Sequence, residues 1–358
     1  MIPYGRQSVD DDDIAAVVAV LKGDWLTQGP HVAEFEDAFA ARVGARHAVA
    51  FANGTAALHG ACVAAELGPG QVLATSTLSF VASANCARYV GADVRLLDIG
   101  PHTLNMDPRA LPDGLDALVA VHYAGLPVDL TQLVHRPRVV IEDAAHAVGA
   151  MTLDGPVGNC AHSDLCCFSF HPVKTMTTGE GGMVTTNDDV LAQRLRRFRH
   201  HGIEPRPEQG GWVYDVVELA YNARLTDLQA ALGTSQLSKL DRFLDRRQAH
   251  ADRYDSLLAE LPVVCPPHAP AGFRHGLHLY PVRVARRAEV YAAMRDAGIG
   301  VQVHYVPIHQ LSVSQPVFGS FPNADAAYAE LLSLPLFADL TEAEQDEVVA
   351  ALGAALTR

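Results

Sequence analysis

The chain has 358 residues, more than one compact core ordinarily organises, so a division into two domains is expected. Hydrophobic residues make up 49% and charged residues 19%, a globular composition that excludes a disordered or fibrous chain. A formal net charge of −14 repels a phosphate backbone and argues against a nucleic-acid partner, while leaving room for a small anion held by local donors.

The N-terminus lacks the basic start and apolar stretch of a secretory signal, and no apolar run approaches the length of a membrane span. A cytoplasmic protein without a membrane partner is the expectation. Residues 10–23 predict an opening helix, with Asp10 to Asp13 at its positive end and Ile14, Val17, Val18 and Leu21 as an apolar stripe. Residues 25–30 read as a loop and 32–44 as a second helix. Strand-like and helical stretches then alternate: strands at 48–52, 71–75, 93–98, 117–123 and 138–142, helices at 56–67 and 79–89. That alternation predicts parallel crossovers and a sheet covered on both faces. Residues 164–170 and 182–186 bracket a Gly-rich turn and look like a hairpin. The six cysteines show no CxxC spacing, and Cys166 and Cys167 should face opposite sides of their strand as buried free thiols. A long helix over 226–261 should join a large domain, residues 1–240, to a small α+β domain, residues 241–358. The latter should contain a strand at 279–284, a helix at 289–297, a strand at 301–305 and a last helix from Thr341.

The chain holds three lysines, Lys22, Lys174 and Lys239. Lys22 and Lys239 sit in amphipathic helices, where an exposed lysine is ordinary. Lys174 follows an apolar strand and precedes Gly179-Glu180-Gly181-Gly182, a confined setting that would lower its pKa toward amine chemistry. Asp143 ends the run Val139-Val140-Ile141-Glu142, where α/β sheets gather ligands, and could pair with a pyridinium nitrogen or simply cap the next helix. Small Ala144 and Ala145 leave room for a flat ring, and His146 could reach its phenolic oxygen. Asn53-Gly54-Thr55-Ala56 at a strand-to-helix turn suits a phosphate or a plain helix cap. Ser169 offers another hydroxyl, and Phe80 either stacks on a ring or packs in the core. No metal site stands out among the histidines.

Taken in order, Asn53-Gly54-Thr55-Ala56-Ala57, Phe80, Glu142-Asp143-Ala144-Ala145-His146 and Ser169-Phe170-His171-Pro172-Val173-Lys174 with Gly179 to Gly182 resemble the DegT/StrS family of sugar aminotransferases. Trp25 to Pro30, Tyr221 to Asp227, Val301 to Tyr305 and Leu334 to Phe337 extend the likeness over nearly the whole chain. Ile2 to Gln7 and Phe170 to Lys174 are most similar to the branch making UDP-4-amino-4,6-dideoxy-N-acetyl-L-altrosamine for pseudaminic acid. The resemblance implies a fold-type I α/β transaminase with a mostly parallel seven-stranded sheet, a small α+β C-terminal domain, and a homodimer with shared active sites. It implies pyridoxal 5'-phosphate (PLP) as cofactor, with pyridoxamine 5'-phosphate as its aminated form. Lys174 would form the imine and move protons, Asp143 would pair with the pyridine nitrogen, His146 would lie near the ring oxygen, and Phe80 would stack. Gly54, Thr55, Ala56 and Ser169 would bind the phosphate with Asn222 of a partner subunit. Trp25, His122, Tyr123, His171, Arg224 and His304 are candidates for contact with substrate or partner. The implied substrates are a nucleotide-linked 4-keto-6-deoxy sugar and an amino acid donor, L-glutamate. Leu78, Ser79 and the stretch 308–316 depart from the family pattern and leave another keto-sugar or a keto-cyclitol of antibiotic biosynthesis as the alternative acceptor. A non-catalytic regulator on the same scaffold would lack Lys174 or Asp143.

Overall fold

A computed structural model describes residues 1–314 and 319–357; Gln315 and Pro316, within the stretch that departs from the family pattern, lie outside them. The helix α1 (Asp11–Lys22) starts where expected because Asp10 accepts the Asp13 N–H and Asp13 returns the bond to Asp10. The helix α2 (Pro30–Val43) has proline in its first turn, where no N–H is missed, and Gly44 ends it at φ 77°. Its entrance is tied down from afar: buried Asp227 accepts the N–H groups of Gly29 and His31 at 2.8 and 3.0 Å.

The alternation read from the sequence becomes β1 (His47–Phe51), α3 (Gly54–Ala64), β2 (Val72–Ser76), α4 (Ala82–Tyr89), β3 (Asp93–Leu97), β4 (Ala117–Val121) and β5 (Val139–Asp143). A two-residue pair, β6 (Met151–Thr152) and β7 (Gly155–Pro156), precedes β8 (Leu165–Ser169) and β9 (Gly182–Thr186). Seven of these strands form one sheet in the order β1-β9-β8-β5-β4-β2-β3. All its neighbouring pairs are parallel except those made by β9, the return arm of the expected hairpin. Apolar layers cover both faces. Leu165 and Cys167 join the layer under α3 and α4, while Cys166 and Phe168 join the layer under α2, so the adjacent cysteines do face opposite ways.

A helix absent from the sequence reading, α5 (Asp189–Phe198), follows β9; Asp188 caps it, and Ala192, Leu195 and Phe198 are its buried stripe. The ribbon β10 (Ile203–Pro205) and β11 (Tyr214–Val216) follows it. The long helix expected over 226–261 is two helices, α6 (Asp227–Ser238) and α7 (Leu240–Leu258). They part at Lys239, whose N–H turns to Gln236 O at 3.0 Å and whose amine is drawn to Asp10 and Asp13 of the first helix.

The C-terminal part builds a separate antiparallel sheet of β12 (Val263–Val264), β13 (Tyr280–Val284) and β14 (Leu331–Leu334), with α8 (Arg287–Asp296), α9 (Pro322–Glu330) and α10 (Glu342–Leu356). The strand expected at 301–305 reduces to one bridge, Gln302 to Ser333, because the chain turns there toward the large sheet. Leu279 and Phe321 share an apolar cluster with Leu78, Ile99 and Tyr123 of the large sheet's loops, and this cluster fixes the C-terminal segment against the sheet's carboxyl edge. None of the described helices is long and apolar enough to cross a membrane.

Candidate active site

The carboxyl ends of β4, β5 and β8, the start of α3 and the turn after β8 open onto one cavity of about 630 Å³. Parallel α/β sheets place ligands at this edge because the strand ends and the following helix starts converge there. Gly54, Thr55, Phe80, Asp143, His146, Ser169, His171, Lys174 and His304 all line it.

The α3 turn is shaped for an anion. Asn53 accepts the Ala56 N–H at 2.9 Å, and the Asn53 carbonyl takes the Ala57 N–H at 3.1 Å. Among the described residues nothing accepts from the N–H groups of Gly54 and Thr55. These free donors carry the positive end of the helix dipole. A Cβ at Gly54 would come within 2.9 Å of the Ser169 Cβ, so glycine is what lets the Ser169 hydroxyl close on this turn.

Lys174 stands on a loop folded against itself. Phe170 N–H donates to Gly181 O, Thr178 N–H to Phe170 O, and Lys174 N–H to His171 O, all between 2.8 and 3.0 Å. No described residue accepts a hydrogen bond from its Nζ. Burial pulls its pKa down to about 8, against the opposing pull of Asp143. An amine at that pKa is uncharged for roughly a tenth of the time at neutral pH.

Asp143 is buried at the end of β5, and its two oxygens are held separately. Oδ2 accepts from Ser83 Oγ at 2.6 Å and Oδ1 from Ala145 N–H at 3.2 Å. The same cavity holds a cluster of rings, with His146, His278 and His304 buried and Tyr305 half-buried. His146 Nε2 meets Tyr305 Oη at 2.9 Å, the rings of His146 and His278 lie 4.4 Å apart, and His304 Nδ1 meets Ser333 Oγ at 2.9 Å. Burial holds the pKa values of His146 and His278 well below the usual imidazole value and that of His304 down to about 3, with Lys174 adding to each shift. The Nδ1 atoms of His146 and His278 are buried without a partner, a polar expense that a bound molecule would relieve.

Six expected residues lie outside this lining. Ala56 has its N–H taken by Asn53. His122 is fully buried; Val128 N–H donates to its Nδ1 at 3.0 Å, so Nε2 carries the proton and donates it to Glu142 at 2.8 Å. Both nitrogens being used within the protein, His122 has none for a substrate. Tyr123 is buried and its hydroxyl donates to His304 O, placing it behind the cavity wall. Trp25 and Asn222 are exposed on the surface, Asn222 bridging to His200, and Arg224 meets His200 Nδ1 at 2.6 Å. Conversely, the cavity includes Tyr4, Ser79, Glu180, His278 and Tyr305, which carried no site role in the sequence reading. Tyr305 lay inside a motif already noted, whereas the only sign of His278 was an imidazole between two leucines.

Residues 7–353 match the profile of the DegT/DnrJ/EryC1/StrS aminotransferase family. The chain belongs to this family. It is 36% identical, over 98% of its length and 96% of the relative's, to the spore coat polysaccharide biosynthesis protein SpsC of Bacillus subtilis. It is 35% identical, over 94% of its length and 92% of the relative's, to the UDP-4-amino-4,6-dideoxy-N-acetyl-beta-L-altrosamine transaminase of Campylobacter jejuni. The PMP form of a Streptococcus pneumoniae protein assigned as a sugar aminotransferase superposes with a TM-score of 0.93 at 27% identity, covering 100% of this chain and 99% of that one. The same protein is also known in a PLP form.

The protein is thus a PLP-dependent aminotransferase of fold type I. The cavity fits the cofactor on its own evidence. Free N–H groups and a hydroxyl converge at Gly54, Thr55 and Ser169, Lys174 has an unengaged amine, and Asp143 lines the same cavity with a carboxylate.

Proposed function

We propose that this aminotransferase moves an amino group from L-glutamate to carbon 4 of a nucleotide-linked 4-keto-6-deoxy sugar. The likeness to the Campylobacter jejuni transaminase along nearly the full chain supports this reading more than any other observation, and the polysaccharide role in the name of the Bacillus subtilis relative agrees with it.

PLP, when bound, supplies an aldehyde carbon that condenses with amines and a ring that draws electrons from the neighbouring carbon. In this reading the N–H groups of Gly54 and Thr55 and the Ser169 hydroxyl would hold its phosphate and Asp143 its ring nitrogen, with His146 near the ring oxygen and Phe80 beside the ring. Lys174 Nζ is tethered on the folded loop after β8. Uncharged, it takes a proton from the amine-bearing carbon; charged, it returns one to the product side. A pKa near 8 suits both directions. The low pKa of the three histidines keeps positive charge away from Lys174 during that exchange. His146 and His278 are buried and Tyr305 half-buried, so this side of the cavity offers little water to compete for the proton.

Asn222, exposed, and Arg224, half-buried, are not part of the lining of their own cavity, and the reading assigns them to the cavity of a second subunit in a homodimer. Glutamate-loaded enzyme should aminate a 4-keto-6-deoxy nucleotide sugar, read as the mass of the amino product, from a panel that includes 3-keto sugars and keto-cyclitols. Turnover confined to keto-cyclitols would replace the sugar reading with the antibiotic-type alternative.

A further inference from the structure

Two hydroxyls outside the family motifs stand behind Asp143. Ser83, on the first turn of α4, is fully buried, and its Oγ lies 2.6 Å from Asp143 Oδ2 and 3.1 Å from Phe80 O. Ser79, also buried, places its Oγ 2.7 Å from Ser83 Oγ. A serine hydroxyl has one proton to donate. The charged, nearer acceptor takes it, since 2.6 Å is the range of a charge-assisted O–H···O⁻ bond whereas 3.1 Å to a carbonyl is long. With its own proton committed to Asp143, Ser83 can only accept from Ser79. The donation therefore runs one way, from Ser79 to Ser83 to Asp143.

We propose that Ser83, backed by Ser79, is a positioning residue for the transamination: it fixes the rotation of the Asp143 carboxylate so that its remaining lone pairs meet the cofactor's ring nitrogen. This rests on Asp143 serving that nitrogen as proposed above. The carboxylate turns about a single bond, and two anchors on opposite oxygens, Ser83 Oγ and Ala145 N–H, remove that freedom. The 3.2 Å bond from Ala145 is the weaker of the two, so losing Ser83 releases the carboxylate. The sequence position has a geometric reason as well. The turn holding Ser79 and Ser83 also carries Phe80 into the cavity, so one short segment sets a ring face and the carboxylate together.

The test uses holoenzyme loaded with PLP labelled with ¹⁵N in the ring. Wild type should give the protonated-nitrogen signal and Asp143→Asn the unprotonated one. Ser83→Ala should fall between them, with the glutamate half-reaction slowed roughly tenfold, as for loss of one hydrogen bond to a charged group, and with glutamate affinity unchanged. Ser79→Ala should move the signal the same way by less, and it decides the matter should Ser83→Ala fail to retain cofactor. A wild-type nitrogen signal in Ser83→Ala, or in Ser79→Ala where only that variant holds cofactor, overturns the proposal. A protonated signal in Asp143→Asn instead overturns the role of Asp143 itself.

Discussion

Lys174 shows how one residue's usefulness works against the fold that holds it. Its pKa is pulled from 10.5 to about 8 because the folded chain withdraws water from the ammonium faster than Asp143 compensates. At neutral pH the side chain is charged in both folded and unfolded apoprotein, so the folded state bears the penalty, about 3 kcal/mol for such a shift. Between about pH 8 and 10.5 the unfolded state binds the extra proton, and stability rises with pH across that window. Lys174→Met, which fills similar space without charge, should make apoenzyme more stable at pH 7 and should flatten the rise above pH 8. Urea denaturation of the cofactor-free protein measures both. Borohydride should fix PLP to Lys174 in the wild type and none there in the variant. Equal stability of the two apoproteins at pH 7, or a wild-type slope above pH 8, would sink the burial argument while leaving the chemical role open. The sequence suggested this setting through an isolated lysine beside a glycine turn, and the resemblance brought His146 and His304 to it, but nothing in the sequence pointed to His278.

At the scale of an element, β5 divides its work between its faces. Adjacent strand residues point opposite ways, so Asp143 reaches the cavity while Glu142 turns to the other side, where His122 and Ser163 donate to it at 2.8 and 2.5 Å. The end of the apolar run in the sequence marks the end of β5, where Asp143 stands. The family resemblance offered His122 as a candidate for contact with substrate or partner subunit. What it lacked was the fold-back of the chain after β4, which brings Val128 N–H onto His122 Nδ1. His122→Phe should destabilise the protein by about 3 kcal/mol, because it leaves a buried carboxylate short of a partner. Glu142→Gln should cost about 1 kcal/mol or less, since the amide can still accept from His122. Both variants should bind PLP with wild-type affinity by fluorescence titration. A His122→Phe protein of normal stability whose sugar KM is raised would return His122 to the substrate. The break at Lys239 has a similar origin, whereas the cap and apolar stripe of α5 are local. The helical pattern ran through 226–261 without a proline or glycine at the break, where Ser235, Gln236 and Lys239 bond to Asp13 and Lys239 also to Asp10.

The whole molecule assembles its site from parts far apart in sequence. The large sheet supplies Gly54, Asp143 and Lys174, and the C-terminal segment supplies His278, His304 and Tyr305. Motif order made the first set legible, because each of its members ends or follows a strand. In the second set the resemblance marked His304 and the stretch holding Tyr305, whereas His278 reaches the cavity through the packing of Leu279 and Phe321, which composition does not encode. Asn222 and Arg224 raise the same question one level higher, between subunits. If they serve a partner's cavity, two inactive proteins can repair one another. A dimer joining a Lys174→Ala subunit to an Asn222→Asp subunit would hold one cavity with an intact lysine and an intact partner asparagine, and one with neither. Random reassortment of equal amounts makes half the dimers mixed, so about a quarter of wild-type sites should regain turnover after subunit exchange. Within-chain use of Asn222 predicts the opposite: every cavity keeps at least one lesion, and mixing restores nothing. Measuring the half-reaction before and after exchange separates the two, since the parent proteins provide the baseline in the same assay.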